Sequence, residues 1–255
     1  MLTIADVNDR HHLGRETLLL PVTWSEDKWP VVANGYAQIE MTGPLPNFNG
    51  QIKKTIEQDD FDQDSLGLQW NTMREFIKDQ YSLTARAGFL AIKASEATLD
   101  DLDRVSFIGR RQQDFICDVV VKLEFAPKNQ YEEAGLTVFG DNHHHFDLFL
   151  TNVNGINKVI LRKKVADLQS ETISDITLAS TVYFKIQATK DEYEFLYSPD
   201  HINYYNIGKT YSKHISSEVI NSPFTGVYLG MYATSNGKHS DAIAYFDYFL
   251  YESKE

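Results

Sequence analysis

The sequence predicts an all-β protein: a two-sheet antiparallel sandwich of the jelly-roll type, preceded by a separate β-hairpin. Three observations carry this expectation. Aromatic residues make up 13% of the 255 residues, with 15 Phe and 14 Tyr, and such side chains suit a pleated, half-buried surface. From Phe115 to Phe125 every second residue is apolar (Phe115, Cys117, Val119, Val121, Leu123, Phe125), with Asp118, Lys122 and Glu124 opposite, the period of a strand with one face buried. Short runs of the same kind then recur to the C-terminus, punctuated by Gly, Asn and Asp turns.

Taken in order, Thr17 to Trp24 and Trp29 to Val32 are strand-like and joined by the polar turn Ser25-Glu26-Asp27-Lys28, which reads as a hairpin. Leu18, Leu20, Val22 and Trp24 share one face and Leu19 and Pro21 the other, so both faces call for cover, and Pro21 marks an edge or a bulge. An isolated hairpin is marginal in water, and residues Leu13 to Val32 are therefore expected to pack on the sandwich or on a second chain. Asn34-Gly35, Gly43-Pro44, Pro46 and Asn49-Gly50 then break any periodicity. The division expected is a hairpin unit over 1–32, a linker over 33–58 and the sandwich over 59–255. Within the sandwich, strands are expected at Ala134 to Phe139, His145 to Leu150, Lys158 to Lys163, Val182 to Ala188, Tyr193 to Tyr197, Val227 to Ala233 and Ala242 to Tyr251. One helical turn is expected at Thr98 to Asp103, and no long amphipathic helix.

A formal net charge of −12 repels phosphate backbones and anionic lipid heads, and no basic run offsets it. Nucleic acid and membrane surfaces are excluded as partners on that ground, and no apolar run approaches the ~20 residues of a membrane helix. Cys117 is the single cysteine, so neither an intrachain disulfide nor a cysteine-based zinc site can form. Asp6, Asp9, Arg10, Arg15 and Glu16 interrupt the start where a signal peptide would need an apolar core, and a cytoplasmic location is expected.

His143-His144-His145 is the obvious metal suspect, but neighbours on a strand point to opposite faces, and a turn leading into a strand explains the triple better. Asp59-Asp60-Phe61-Asp62 and Asp247 are the best-placed acidic residues. Turn chemistry and a strand's polar face account for them more readily than catalysis, while Asp60 and Asp247 are the candidate donors for a structural calcium held where first and last strands meet. No cofactor is required by anything in the sequence. Neither a Gly-rich phosphate loop nor a Gly-x-Ser-x-Gly elbow is present. Trp24, Trp29, Trp70 and the tyrosines suit sugar stacking, although most such rings serve the core.

The segment His12-Leu13-Gly14-Arg15-Glu16-Thr17-Leu18-Leu19-Leu20-Pro21-Val22-Thr23-Trp24, with Glu26-Asp27-Lys28-Trp29-Pro30-Val31-Val32, resembles the end of the catalytic domain of glycoside hydrolase family 43, which includes β-xylosidases and α-L-arabinofuranosidases. Asp60-Phe61-Asp62, Leu68-x-Trp70, Leu83-Thr84-x-Arg86-x-Gly88-Phe89-Leu90, Arg110-Arg111-Gln112, Glu133-Ala134-Gly135-Leu136, Phe224-Thr225-Gly226 and Phe246-Asp247-Tyr248-Phe249-x-Tyr251 extend the likeness. They resemble the concanavalin A-like sandwich that follows the five-bladed propeller in one branch of that family. The resemblance implies that residues 1–32 are the terminal hairpin of a propeller whose catalytic aspartates and glutamate precede Met1, so that no residue here inherits a catalytic role. It also implies that Arg15 reaches the sugar pocket, and that the sandwich lends an aromatic to the pocket rim, with Phe224 the first candidate and Tyr228 the second. The implied partners are a family 43 propeller, on the same or a separate chain, and an oligosaccharide; the chain alone is expected to be inactive and to be a fragment or the product of a split gene. The competing reading is a stand-alone lectin-like carbohydrate-binding module. A third, a self-sufficient jelly-roll glycanase, would need acidic residues alternating along one strand, and none are found.

Overall fold

The computed structural model describes residues 2–6, 10–17, 19–32, 35, 57–217 and 225–254. It is almost wholly β, and two antiparallel sheets form its body. Across one eight-stranded sheet the order is Tyr205–Tyr211, Glu192–Ser198, Thr181–Ala188, Cys117–Glu124, Ile243–Ser253, Leu90–Lys93 and Tyr81–Ser82, with Gln58–Asp59 also paired to Ile243–Ser253. Across the seven-stranded sheet it is Leu168–Ile173, Ile156–Val165, His144–Val153, Glu133–Asp141, Tyr228–Thr234, Ser106–Arg111 and Asn71–Thr72.

Cys117–Glu124 sits at the centre of the first sheet, between Thr181–Ala188 and Ile243–Ser253. Cys117, Val119, Val121, Leu123 and Phe125 are buried in the common core with Phe184, Phe195 and Phe246 from neighbouring strands. Lys122 and Glu124 stay part-exposed on the other face, as a period of two requires. Phe115 departs from the pattern: it precedes the strand, is half-buried, and meets the His12 ring edge-on at a centroid distance of 4.9 Å. Each of the expected sandwich strands is present with small shifts at its ends. Thr98 to Asp103 closes as a turn, with the Asp101 amide donating to the Thr98 carbonyl and the Asp101 carboxylate accepting from the Thr98 amide and hydroxyl; that side-chain competition is what diverts such residues from helix.

A second apolar cluster, Leu99, Val105, Phe107, Phe139, Phe149, Ile160 and Tyr232, lies apart from the common core. The segment between Leu90–Lys93 and Ser106–Arg111 contributes Leu99 and Val105 to it, which covers the outer face of the seven-stranded sheet. Glu133–Asp141 is consequently buried along most of its length on both faces.

The N-terminal region differs from expectation. The hairpin is real but short, Val22–Trp24 against Pro30–Val32, closed by the Ser25 amide to the Trp29 carbonyl and the Lys28 amide to the Ser25 carbonyl. Pro21, which has no amide to donate, stands just before its first strand. The residues before it form a separate pair, Leu2–Asp6 against Arg10–Thr17. Of the expected linker, residues 33–34 and 36–56 lie outside the described residues, as does Leu18.

Candidate functional site

Arg15 lies on the strand Arg10–Thr17, and this strand is fastened to the sandwich rather than hanging from it. His11, His12 and Leu13 are buried. The Val227 amide donates to the His12 carbonyl at 2.8 Å, and the Gln112 amide to the Val227 carbonyl at 3.0 Å, so the backbone at 227 is held from both sides. Arg10 adds a two-pronged contact to one oxygen of Asp191, at 3.0 and 2.8 Å. Two glycines cross at the closest point. Gly14 has φ +72° and Gly226 φ +75°, a Cβ on Gly14 would fall 2.2 Å from the Gly226 nitrogen, and one on Gly226 would fall 2.6 Å from the Leu13 carbonyl carbon. Only residues without a side chain allow that conformation and that approach.

The crossing brings Gly14, the residue before exposed Arg15, against the backbone of Thr225, the residue after Phe224. Phe224 itself lies outside the described residues. Tyr228 sits opposite both Arg111 and Phe139 in the seven-stranded sheet and packs half-buried against the second apolar cluster. The neighbour of Arg15, Gly14, thus meets the segment that follows the first rim candidate, and the second packs on the apolar cluster. Arg111, a residue without an expected role, donates through Nη2 to the Leu13 carbonyl at 2.7 Å.

The acidic residues stand apart from this margin. Asp247 is ion-paired with Lys122 at 2.5 Å, and the Asp60 carboxylate accepts from Gln58 at 2.6 Å; it is Asp59 that ties strands together, taking the Trp70 indole N–H at 2.7 Å. Among the described residues no group of three or more His, Cys, Asp or Glu is placed to hold a metal ion. The histidine triple is a turn entering a strand: His144 Nδ1 meets Asp141 at 2.9 Å, and buried His145 is gripped by Asp147 at 2.8 Å and Asp100 at 2.8 Å. Burial alone would lower the pKa of His145, but the two carboxylates outweigh it and raise it to about 9. Asp100, also bonded to Lys164 at 2.5 Å, is held down at about 2 against the opposing effect of its own burial. Glu133 faces Arg162 through two bonds of 2.9 Å each. Burial pushes the Glu133 carboxyl up and opposes charge on Arg162, yet the paired contact raises Arg162 above its ordinary value. These carboxylates brace the sheet.

A cleft of about 460 Å³ opens between the edge strands Leu168–Ile173 and Tyr205–Tyr211, lined in part by Lys163, Leu168, Glu192, Lys209, Tyr211 and His214. Among the described residues that line it, Glu192 is the one carboxylate, and it is ion-paired with Lys209 at 2.9 Å. Glycoside hydrolysis generally takes two carboxylates facing the scissile bond, and those described residues do not present them.

Residues 58–252 match the family described as the β-xylosidase C-terminal concanavalin A-like domain. The chain belongs to that family. A non-reducing-end α-L-arabinofuranosidase of Bacteroides ovatus is 37% identical to it over 97% of the chain and 47% of the relative. A xylan 1,3-β-xylosidase of Vibrio is 31% identical over 94% of the chain and 45% of the relative. Among solved structures, the family 43 protein B of the xyloglucan locus of Bacteroides ovatus superposes with a TM-score of 0.91 at 36% identity, covering 99% of the chain and 50% of that structure. A xylan β-1,4-xylosidase of Bacillus halodurans gives 0.88 at 27%, covering 96% and 48%. The family 43 chain described here therefore spans about half the length of these relatives, and its match lies in their C-terminal sandwich region.

Proposed function

We propose that this chain is the accessory half of a family 43 glycosidase acting on xylan-derived or arabinose-containing oligosaccharides. In this reading it docks on a catalytic propeller, carried on the same or a separate polypeptide, and lends Arg15 to the margin of the sugar pocket. The observation that supports it is the divided behaviour of the N-terminal region. His11 to Gly14 are built into the sandwich, whereas Leu19, Trp24 and Trp29 are 77%, 70% and 74% exposed, with Val22 and Val32 also outward. Contiguous exposed apolar surface of this kind marks an interface.

The division of labour follows from chemistry. A guanidinium offers several fixed donors to vicinal hydroxyls and no acceptor, so Arg15 binds and orients a sugar without taking up its protons. An inverting hydrolysis needs an acid and a base roughly 6.5–9.5 Å apart across the scissile bond, and these roles fall to the propeller. Phe224 is the preferred rim aromatic, because the residue after it abuts Gly14, and Tyr228 is the second.

Release of nitrophenol from nitrophenyl xyloside and arabinoside tests the reading. The purified chain should give none, and fusion or co-expression with the propeller should give turnover. In that enzyme Arg15→Ala should lower kcat/KM by roughly 10–100-fold, the worth of a hydrogen bond to a charged group, and should impair it more than Lys28→Ala does. Turnover by the chain alone that survives repurification and is abolished by replacing a carboxylate of the sandwich would overturn the proposal.

A further inference from the structure

Arg110 and Arg111 are neighbours on one strand and face opposite ways. Arg110 is turned inward: it is 3% exposed, lies 4.2 Å over the Tyr251 ring, and donates to Gln113 at 3.1 Å. Arg111 turns outward to the N-terminal strand, where its Nη2 donates to the Leu13 carbonyl at 2.7 Å. That carbonyl belongs to the peptide entering Gly14, whose left-handed conformation redirects the chain just before Arg15. The adjoining His12 carbonyl is taken by the Val227 amide at 2.8 Å. Two successive carbonyls are thus fixed from the sandwich, one by backbone and one by a side chain.

We infer that Arg111 is a positioning residue for the sugar pocket: by holding the Leu13 carbonyl it locks the turn at Gly14 and so sets the direction in which Arg15 leaves the strand. The inference rests on the reading that Arg15 contacts the sugar. Its physical content is pre-organisation. A donor aimed correctly before substrate arrives spends no binding energy on being ordered, and small displacements in a pocket cost rate steeply. The crossing of Gly14 over Gly226 limits how far the two segments can slide but leaves rotation about the bonds flanking Gly14 available, since glycine is the least restricted residue. The Arg111 bond restrains that freedom from the sandwich side, while the pairing of Ile4 with Arg15 restrains it from the other. The bond also lets the sandwich act on the sugar through Arg15 as well as through a rim aromatic.

A double-mutant cycle in the complete enzyme, propeller included, tests this. Arg111→Ala is expected to lower kcat/KM by about 5–20-fold, less than the full worth of a charge-assisted hydrogen bond because the effect reaches the sugar only through Arg15, while Arg111→Lys, which restores a single donor, recovers most of the loss. Combined with Arg15→Ala, the Arg111→Ala change should add less than twofold, because its effect passes through Arg15. In the 255-residue chain alone, amide exchange at Gly14, Arg15 and Glu16 should quicken in Arg111→Ala with the thermal midpoint of the sandwich unmoved. Additive losses in the cycle, or unchanged exchange at Gly14 to Glu16, would overturn the inference. If Arg15→Ala itself has no effect while exchange still quickens, the role of Arg15 fails and the anchoring by Arg111 stands.

Discussion

Two β segments of this molecule are equally apolar and end in opposite circumstances. In Cys117–Glu124 the apolar face meets strands on both sides and a second sheet opposite, and Val119, Val121 and Leu123 are fully buried. In the hairpin Val22–Trp24 and Pro30–Val32, Trp24 keeps most of its surface in solvent and Val22 and Val32 about half. Apolar content says that a segment wants cover; it does not say that the cover is in the same body. The first segment has its complement within the chain. The second has a register and a turn but, among the described residues, no layer to lie on.

Substitutions can break or sharpen that comparison, beginning with the largest expected effect. Phe246→Ala, at a fully buried site in the common core, should cost about 3–5 kcal/mol in urea unfolding, whereas Trp24→Ala in the chain alone should stay within about 0.5 kcal/mol. Comparable losses at the two sites would mean that the hairpin is covered after all. Glu133→Ala should cost about 3 kcal/mol, because it strands a largely buried guanidinium at Arg162. Glu171→Ala removes a more exposed partner of the same arginine and should cost less than about 1 kcal/mol.

The next effect is one of pH. Within its sheet His145 faces Asp147, whose Oδ1 also accepts from Thr137; it faces Asp100 from the covering segment and the stacked Phe139 ring, with Lys164 also bonded to Asp100. Its folded pKa is raised, to about 9 from 6.5, so its protonation favours the folded state. That contribution, on the order of 1–3 kcal/mol, is present in full below pH ~6.5 and is lost as pH rises through ~9. Urea midpoints measured from pH 6 to 10 should fall more steeply for the wild type than for His145→Gln; parallel curves would show that the imidazole is not charged in the folded protein. The smallest effect concerns metal. With Asp247 held by Lys122, dialysis against a chelator should leave the thermal midpoint unchanged, and a drop reversed by calcium would restore Asp60 and Asp247 as ligands.

The sequence made the sandwich legible where one face of a strand is buried and the other wet, and at Glu133–Asp141 and His144–Val153, where longer apolar runs bounded by turns show through burial on both faces. It was silent on Ser106–Arg111, where Phe107 and Ile108 are both buried and the short apolar run passes directly into Gly109, Arg110 and Arg111. Leu168–Ile173 escaped for the converse reason: it is exposed along its whole length and is a strand only because Ile156–Val165 pairs with it. Arg10–Thr17 escaped because its anchoring is made by backbone carbonyls and two left-handed glycines, which leave no apolar period. Arg15 entered as a candidate through family resemblance alone, and its nearness to Gly226 is a long-range crossing that local pattern cannot encode. The Arg111 bond to Leu13 is of the same kind.

The central claim is that the outward apolar surface of Leu19 to Val32 is one side of an interface with a catalytic propeller. Hydrogen exchange of the chain with and without that domain, joined by fusion or co-expression, tests it most directly. The account predicts slow exchange through the sandwich strands in both states and new protection confined to the Leu19 to Val32 segment and the neighbourhood of Arg15 in the joined protein. Protection of Leu19 to Val32 already complete in the chain alone, or protection in the joined protein that appears on the outer face of the eight-stranded sheet instead, would contradict it.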